Sequence, residues 1–174
     1  MRIAFVLIGR TLPGFREVMG AVTKEFKAKA TTDLIDFPMT RSFRSERNQY
    51  DAEVLLKDLR KFAPLGAHRT VFLLREDMFA SRLNFIFGLA MENVCIVSTA
   101  RLDPRFYGEK DMEKARELFK ERVIKEIVHE LGHTMGLPHC DNKKCVMVFS
   151  NSIDDVDNKG KEFCKNCAKA LYRE

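Results

Sequence analysis

Residues 129–139 of this 174-residue chain read HELGHTMGLPH and hold three of its four histidines. His129 and His133 stand four apart, which on an α-helix puts them on one face about one turn (~6 Å) from each other. Both imidazoles can then reach one metal ion at ~2.0–2.1 Å. Glu130 is beside them but out of line, placed to hold and deprotonate a water rather than to ligate the same ion. Gly136 can take the positive φ of a helix C′ position. Pro138 keeps the helix from resuming, and the chain returns His139 as a third ligand. Three protein ligands with an open fourth position describe a catalytic zinc site rather than a structural one. The competing reading is a buried helix with incidental histidines. His68, alone in GAHRT before an apolar run, reads as a surface or capping histidine.

A second constellation follows at once. Cys140-x4-Cys145 and Cys164-x2-Cys167 bracket one short tail and predict a closed four-thiolate zinc site. Its role would be structural, because the tail 140–174 is poor in apolar residues and metal binding could supply folding free energy that a core does not. Cys140 adjoins His139, so tying down the tail would also hold the third ligand. A redox dithiol at Cys164 and Cys167 is the competing reading. Cys95 lies in a strand-like run and reads as a small core residue.

The elements that must position these groups show in the periodicity. Residues 3–9 make a hydrophobic strand, and LPG opens a helix over about 14–29 with Phe15, Val18, Met19, Val22 and Phe26 at helical spacing. ATTDLIDF (30–37) is a second strand, RSFRSERNQ a polar basic loop, and Asp51 starts a helix reaching about Phe62. TVFLLR (70–75) is a third strand, so the order βαβαβ implies a mainly parallel sheet with helices packed on it. After a connection at 76–82, LNFIFGLA and VCIVSTA flank a turn at Glu92–Asn93 and must pair antiparallel. The segment 84–89 is expected at the sheet edge along the cleft. On the zinc-motif helix, 112–135, the stripe Phe119, Val123, Ile124, Ile127 and Leu131 falls opposite the histidines. Arg122, Lys125 and Glu126 extend the histidine side, which predicts ligands on a polar, cleft-facing surface.

Composition bounds the rest. The length suits one domain that buries about 70% of its unfolded surface. Thirty basic and 25 acidic residues leave a net charge of +5, but they are interspersed, and no basic run marks a nucleic-acid tail. No segment approaches the ~20 apolar residues of a membrane span. Five cysteines, four of them in metal spacing, fit a reducing compartment better than a disulfide framework.

These motifs together resemble a known family. HELGHTMGLPH has the form of the metzincin zinc peptidases, and CDNKKCVMVFSNS sets Met147 where metzincins carry their Met-turn, a methionine beneath the zinc ligands. With Cys140 directly after the third histidine and FCKNC downstream, the chain is identified as a member of the archaemetzincins (archaelysins), metzincins with a second, four-cysteine zinc site. LNFIFGLA, VSTARL and MVFSNSIDDVDNKGKEFCKNC extend the resemblance over most of 70–170.

The resemblance implies a zinc-dependent peptidase using Glu130 as general base. It implies two zinc ions per chain: a catalytic one on His129, His133 and His139, and a structural one on Cys140, Cys145, Cys164 and Cys167. It suggests extended substrate added to the edge strand. The expected fold class is α/β (α+β by some schemes), a single metzincin-like domain over 1–174. Residues 1–135 would form the sheet and active-site helix, and 136–174 the Met-turn and a zinc-stapled tail. Many metzincins are secreted behind a propeptide, whereas strand-like sequence here begins at residue 3, so the expectation is a cytoplasmic monomer without an inhibitory segment. Its partner would be a peptide or protein substrate, with no nucleic acid and no membrane. The alternatives are a catalytically silent or latent zinc-fold peptide-binding protein, and a zinc-ribbon nucleic-acid binder. Intact ligands and Glu130 argue against the first, and the second gives no reason for three histidines around an open site.

Overall fold

A computed structural model describes residues 1–172. Its first half runs β1 (Arg2–Ile8), α1 (Phe15–Glu25), β2 (Lys29–Ile35), β3 (Phe43–Arg44), β4 (Gln49–Asp51), α2 (Ala52–Leu59) and β5 (Arg69–Leu74). There follow β6 (Met78–Phe79), β7 (Gly88–Met91), β8 (Val94–Ser98), α3 (Met112–Thr134), α4 (Ile153–Asn158) and α5 (Lys165–Leu171). Alternation along the strands explains how they assemble. Ile3, Phe5 and Leu7 of β1 enter one apolar cluster, while Val6 and Ile8 enter another on the opposite face. A strand buried on both faces belongs in the middle of a parallel sheet. β1 lies between β2 and β5, with Phe5 opposite Thr32 and Val71. The five strands take the order β2-β1-β5-β8-β7, parallel except for β7.

Helices cover both faces. Val18 and Val22 of α1 pack with Val123, Ile127, Val128 and Leu131 of α3 on one face, and Ala52, Leu55, Leu56 and Leu59 of α2 fill the other. Asp51 caps α2 by accepting from the N–H groups of Glu53 and Val54, as its place before that helix led one to expect. No helix of the described residues is long and apolar enough to cross a membrane.

Three expectations need correction. The polar segment 41–49 is not simply a loop: β3 and β4 pair antiparallel, Phe43 against Tyr50, and with β6 form a small second sheet. Strands of two or three residues leave no period to read. The edge strand is 88–91 rather than 84–89. A two-residue turn at Glu92–Asn93, with Glu92 at φ +53°, obliges Met91 to face Val94, so pairing starts beside the turn and runs back to Gly88. Residues before Gly88 instead lean toward β6, where Met78 bridges Ile86. Finally, the tail, expected to be too poor in apolar residues to draw on a core, shares the main one: Cys145, Val146, Met147 and Val156 are buried in the same cluster as residues of β1, α1 and α3.

Candidate metal centre and catalytic cleft

α3 is capped by Asp111, whose carboxylate accepts from the N–H groups of Glu113 and Lys114, and runs 23 residues from Met112 to Thr134. At its end Gly136 takes φ +86°. Its N–H donates to His133 O at 2.9 Å, and that of Leu137 donates to Gly132 O at 3.1 Å, which reverses the chain. The turn brings His139 back over the helix. Its ring centroid lies 5.3 Å from that of His129 and 4.8 Å from that of His133. One ligand atom from each of the three lies within 4.8 Å of the others.

The hydrogen bonds of the first two histidines test whether a cation fits here. His129 Nδ1 is 2.8 Å from Val146 O, and His133 Nδ1 is 2.8 Å from Leu137 O. A carbonyl can only accept, so each Nδ1 carries the proton and donates. Both Nε2 atoms are then bare lone pairs, 3.0 Å apart, with no hydrogen to place between them. A shared cation resolves that contact, and the three-nitrogen donor set suits zinc. Burial holds His129 neutral down to about 2, with the charge of Lys159 acting in the same sense. His133 and His139 are lowered too, chiefly by burial. A ligating imidazole must be neutral.

Glu130 turns its side chain toward β7. A Cβ built on Gly88 would stand 2.5 Å from Glu130 Cγ and 2.6 Å from its Oε1, so only glycine admits the carboxylate this close. Burial, and next the neighbouring Glu126, push its carboxyl up to about 8, with Lys159 opposing; a nearby divalent cation also opposes such a rise. The cavity between α3 and β7 measures about 390 Å³. Its floor is Glu126, Glu130 and the three histidines, and its walls include Phe87, Leu89 and Phe149. β7 ends the sheet order, so among the described residues its outer edge has no strand partner.

The histidine side of α3 faces the cleft as expected, but it is not the open polar surface that its residues suggest. Arg122, Lys125 and Glu126 are buried because the tail covers them. Arg122 Nε and Nη2 donate to Asp157 at 2.7 and 2.6 Å, and Lys125 Nζ donates to Val156 O and Asp157 O at 3.0 Å each. Lys159 Nζ lies 2.7 Å from Glu126 Oε1. A helical-wheel projection sees one helix and misses a covering segment that arrives 30 residues later.

The same tail gathers Cys140, Cys145, Cys164 and Cys167, whose sulfurs lie within 4.8 Å of one another. None is in a disulfide. The Cys140 N–H donates to Met147 O at 2.9 Å, and the Cys164 N–H points to Cys145 Sγ at 3.3 Å. The backbone N–H of Cys167 draws the Cys164 thiol down to about 7, whereas burial raises Cys145 and Cys167. Four converging sulfurs fit a closed tetrahedral zinc site. Met147 is fully buried, and a Cβ on Gly132 would stand 2.5 Å from its Sδ, which sets the methionine directly against the motif helix.

The seven expected ligands thus come together in two clusters, with Glu130 beside the histidines in the cleft and Met147 buried in the core against Gly132. Cys95 lies apart, buried in β8, and His68 Nδ1 accepts from the Arg2 N–H at 3.1 Å. Sequence reading passed over Gly88 and Lys159. It placed Glu126 on the cleft-facing side of the helix, where the structure has it, but gave it no role, although a carboxylate four residues before Glu130 was a usable signal.

Comparison with known proteins adds an independent line. The family model of peptidase family M54 matches residues 15–173. An archaemetzincin of Saccharolobus solfataricus is 45% identical over 133 residues, covering 76% of this chain and 70% of that protein. The crystal structure of an archaemetzincin from Methanopyrus kandleri superposes with a TM-score of 0.85 at 34% identity, covering 98% of this chain and 93% of that one. A zinc-dependent peptidase from Methanocorpusculum labreanum superposes with a TM-score of 0.84 at 30% identity, covering 97% and 99%.

Proposed function

Because the chain belongs to peptidase family M54, and is therefore a zinc metallopeptidase acting on peptide bonds, we propose that His129, His133 and His139 hold its catalytic zinc and that Glu130 is the general base. The observation that carries the assignment is the pair of bare Nε2 atoms 3.0 Å apart, beside a carboxylate that faces the same cleft. When bound, zinc supplies a Lewis acid that polarises the scissile carbonyl and acidifies a water. Val146 O and Leu137 O fix the tautomers and ring planes of His129 and His133. Glu130 accepts the proton of the attacking water and passes it to the departing amide nitrogen. The free edge of β7 pairs with an extended peptide backbone, and Phe87, Leu89 and Phe149 bury its side chains.

Cys140, Cys145, Cys164 and Cys167 hold a second, structural zinc, so the chain carries two ions. This tail folds with the rest as one unit, a reading supported by the burial of Cys145, Val146 and Met147 in the main cluster. Met147 is the Met-turn methionine under the ligand helix. Unpaired cysteines support a reducing, cytoplasmic setting. Metal analysis tests the assignment: wild type is expected to hold two zincs and His133→Ala one, with hydrolysis abolished by chelation and restored by zinc. Peptidase activity that survives complete zinc removal would refute it.

A further inference from the structure

One turn before Glu130, on the same face of α3, lies a second carboxylate of the cleft floor, Glu126. Both are buried, and like charges one turn apart in a dry site disfavour each other. The buried cation set against them is Lys159, 1% exposed in its side chain and 2.7 Å from Glu126 Oε1. Apart from each other, neither Lys159 Nζ nor Glu126 Oε1 has a hydrogen-bond partner among the described residues.

Lys159 is not needed to dock the tail. Residues 156 and 157 are already held by Arg122 and Lys125, the Lys159 N–H donates to Asp155 O at 3.1 Å, and the next residue, Gly160, packs so tightly on the Lys144 carbonyl that a Cβ could not fit. A buried ion pair with unfilled hydrogen-bonding capacity is weak evidence of stability, since apolar residues of similar volume often serve as well. What an apolar pair could not supply is charge beside the site.

Resting on the reading of Glu130 as the base, we propose that Lys159 is a positioning residue for it. Paired with Glu126, the ammonium fixes two neighbouring carboxylates in one arrangement, with Glu130 against Gly88. Lys159 lies in sequence between Cys145 and Cys164, so the cysteine cluster sets the catalytic base through this side chain.

The test compares zinc-loaded full-length wild type, Glu130→Ala, Lys159→Met, Lys159→Arg and the double variant Lys159→Met/Glu126→Met. A base displaced by about 1 Å costs on the order of 100-fold, so Lys159→Met is expected to keep both zincs and its KM while kcat falls by about that factor. Lys159→Arg restores the charge and is expected to recover most of kcat. The double variant replaces the ion pair by apolar side chains and is expected to melt no lower than wild type, yet to remain slow. It decides the matter if Lys159→Met alone fails to fold. A second readout is independent of turnover: in crystals of the zinc-loaded double variant, the Glu130 carboxylate is expected to leave its position against Gly88. Wild-type kcat in either methionine variant, or an unmoved Glu130, overturns the proposal. Full activity in Glu130→Ala would instead remove the base assignment itself.

Discussion

Gly88→Ala perturbs the Glu130 carboxylate from the strand side without touching His129, His133 or His139. Gly88 lies outside the positive-φ glycines, so its backbone accepts alanine without strain. The new methyl, however, would stand 2.5 Å from Glu130 Cγ, 2.6 Å from Oε1 and 2.7 Å from Cδ. Ordinary contact begins near 3.4 Å, so the Glu130 side chain or the strand must retreat by about 0.9 Å, the difference between 3.4 and 2.5 Å. Misplacing a catalytic group by about 1 Å costs on the order of 100-fold in rate, while overpacking of this kind costs ~1–3 kcal/mol of stability. Steady-state hydrolysis of a fluorogenic peptide, with zinc content and a thermal melt measured on the same samples, separates the two effects. The expected result is a folded protein with two zincs and kcat down about 100-fold. Gly20→Ala is the control, because nothing lies within 4 Å of its added methyl; it is expected to leave activity alone and to stabilise α1 by ~0.5–1 kcal/mol. Unchanged kcat in a folded Gly88→Ala would show that Glu130 need not lie where this structure holds it.

Gly132→Ala tests the packing under the ligand helix. Alanine is the better helix former by ~1 kcal/mol, yet its methyl would meet Met147 Sδ at 2.5 Å and Phe163 at 3.2 Å, so the melting temperature is expected to fall; a rise would mean Met147 yields freely. Cys164→Ser is expected to lose the tail zinc, lowering both the metal count from two to one and the melting temperature. An unchanged count and melt would contradict a structural role for the four cysteines.

The three-histidine and four-cysteine clusters were legible because their spacing is local. Four residues on a helix, one glycine-terminated turn and two short cysteine pairs set most of their own geometry. The order of the parallel strands was legible for a similar reason, since runs such as IAFVLI and TVFLL are long enough to show burial on both faces. What the sequence hid is non-local. The turn at Glu92–Asn93 gives the antiparallel sense of β7, but its register depends on the backbone geometry of that turn, with Glu92 at φ +53°. The burial of Arg122, Lys125 and Glu126 depends on residues 156–159 crossing α3, which no helical projection contains. Gly88 looks like any strand glycine until Glu130 is placed beside it.

The most direct measurement is cleavage of a proteome-derived peptide library by the zinc-loaded protein, read by mass spectrometry beside zinc-loaded Glu130→Ala. New termini made by the wild type and absent from the variant are expected, and they would also report whether the enzyme cuts within chains or from their ends. An equal yield of termini from Glu130→Ala, or none from a wild type shown to hold both zincs, would contradict Glu130-dependent peptide hydrolysis at the three-histidine site.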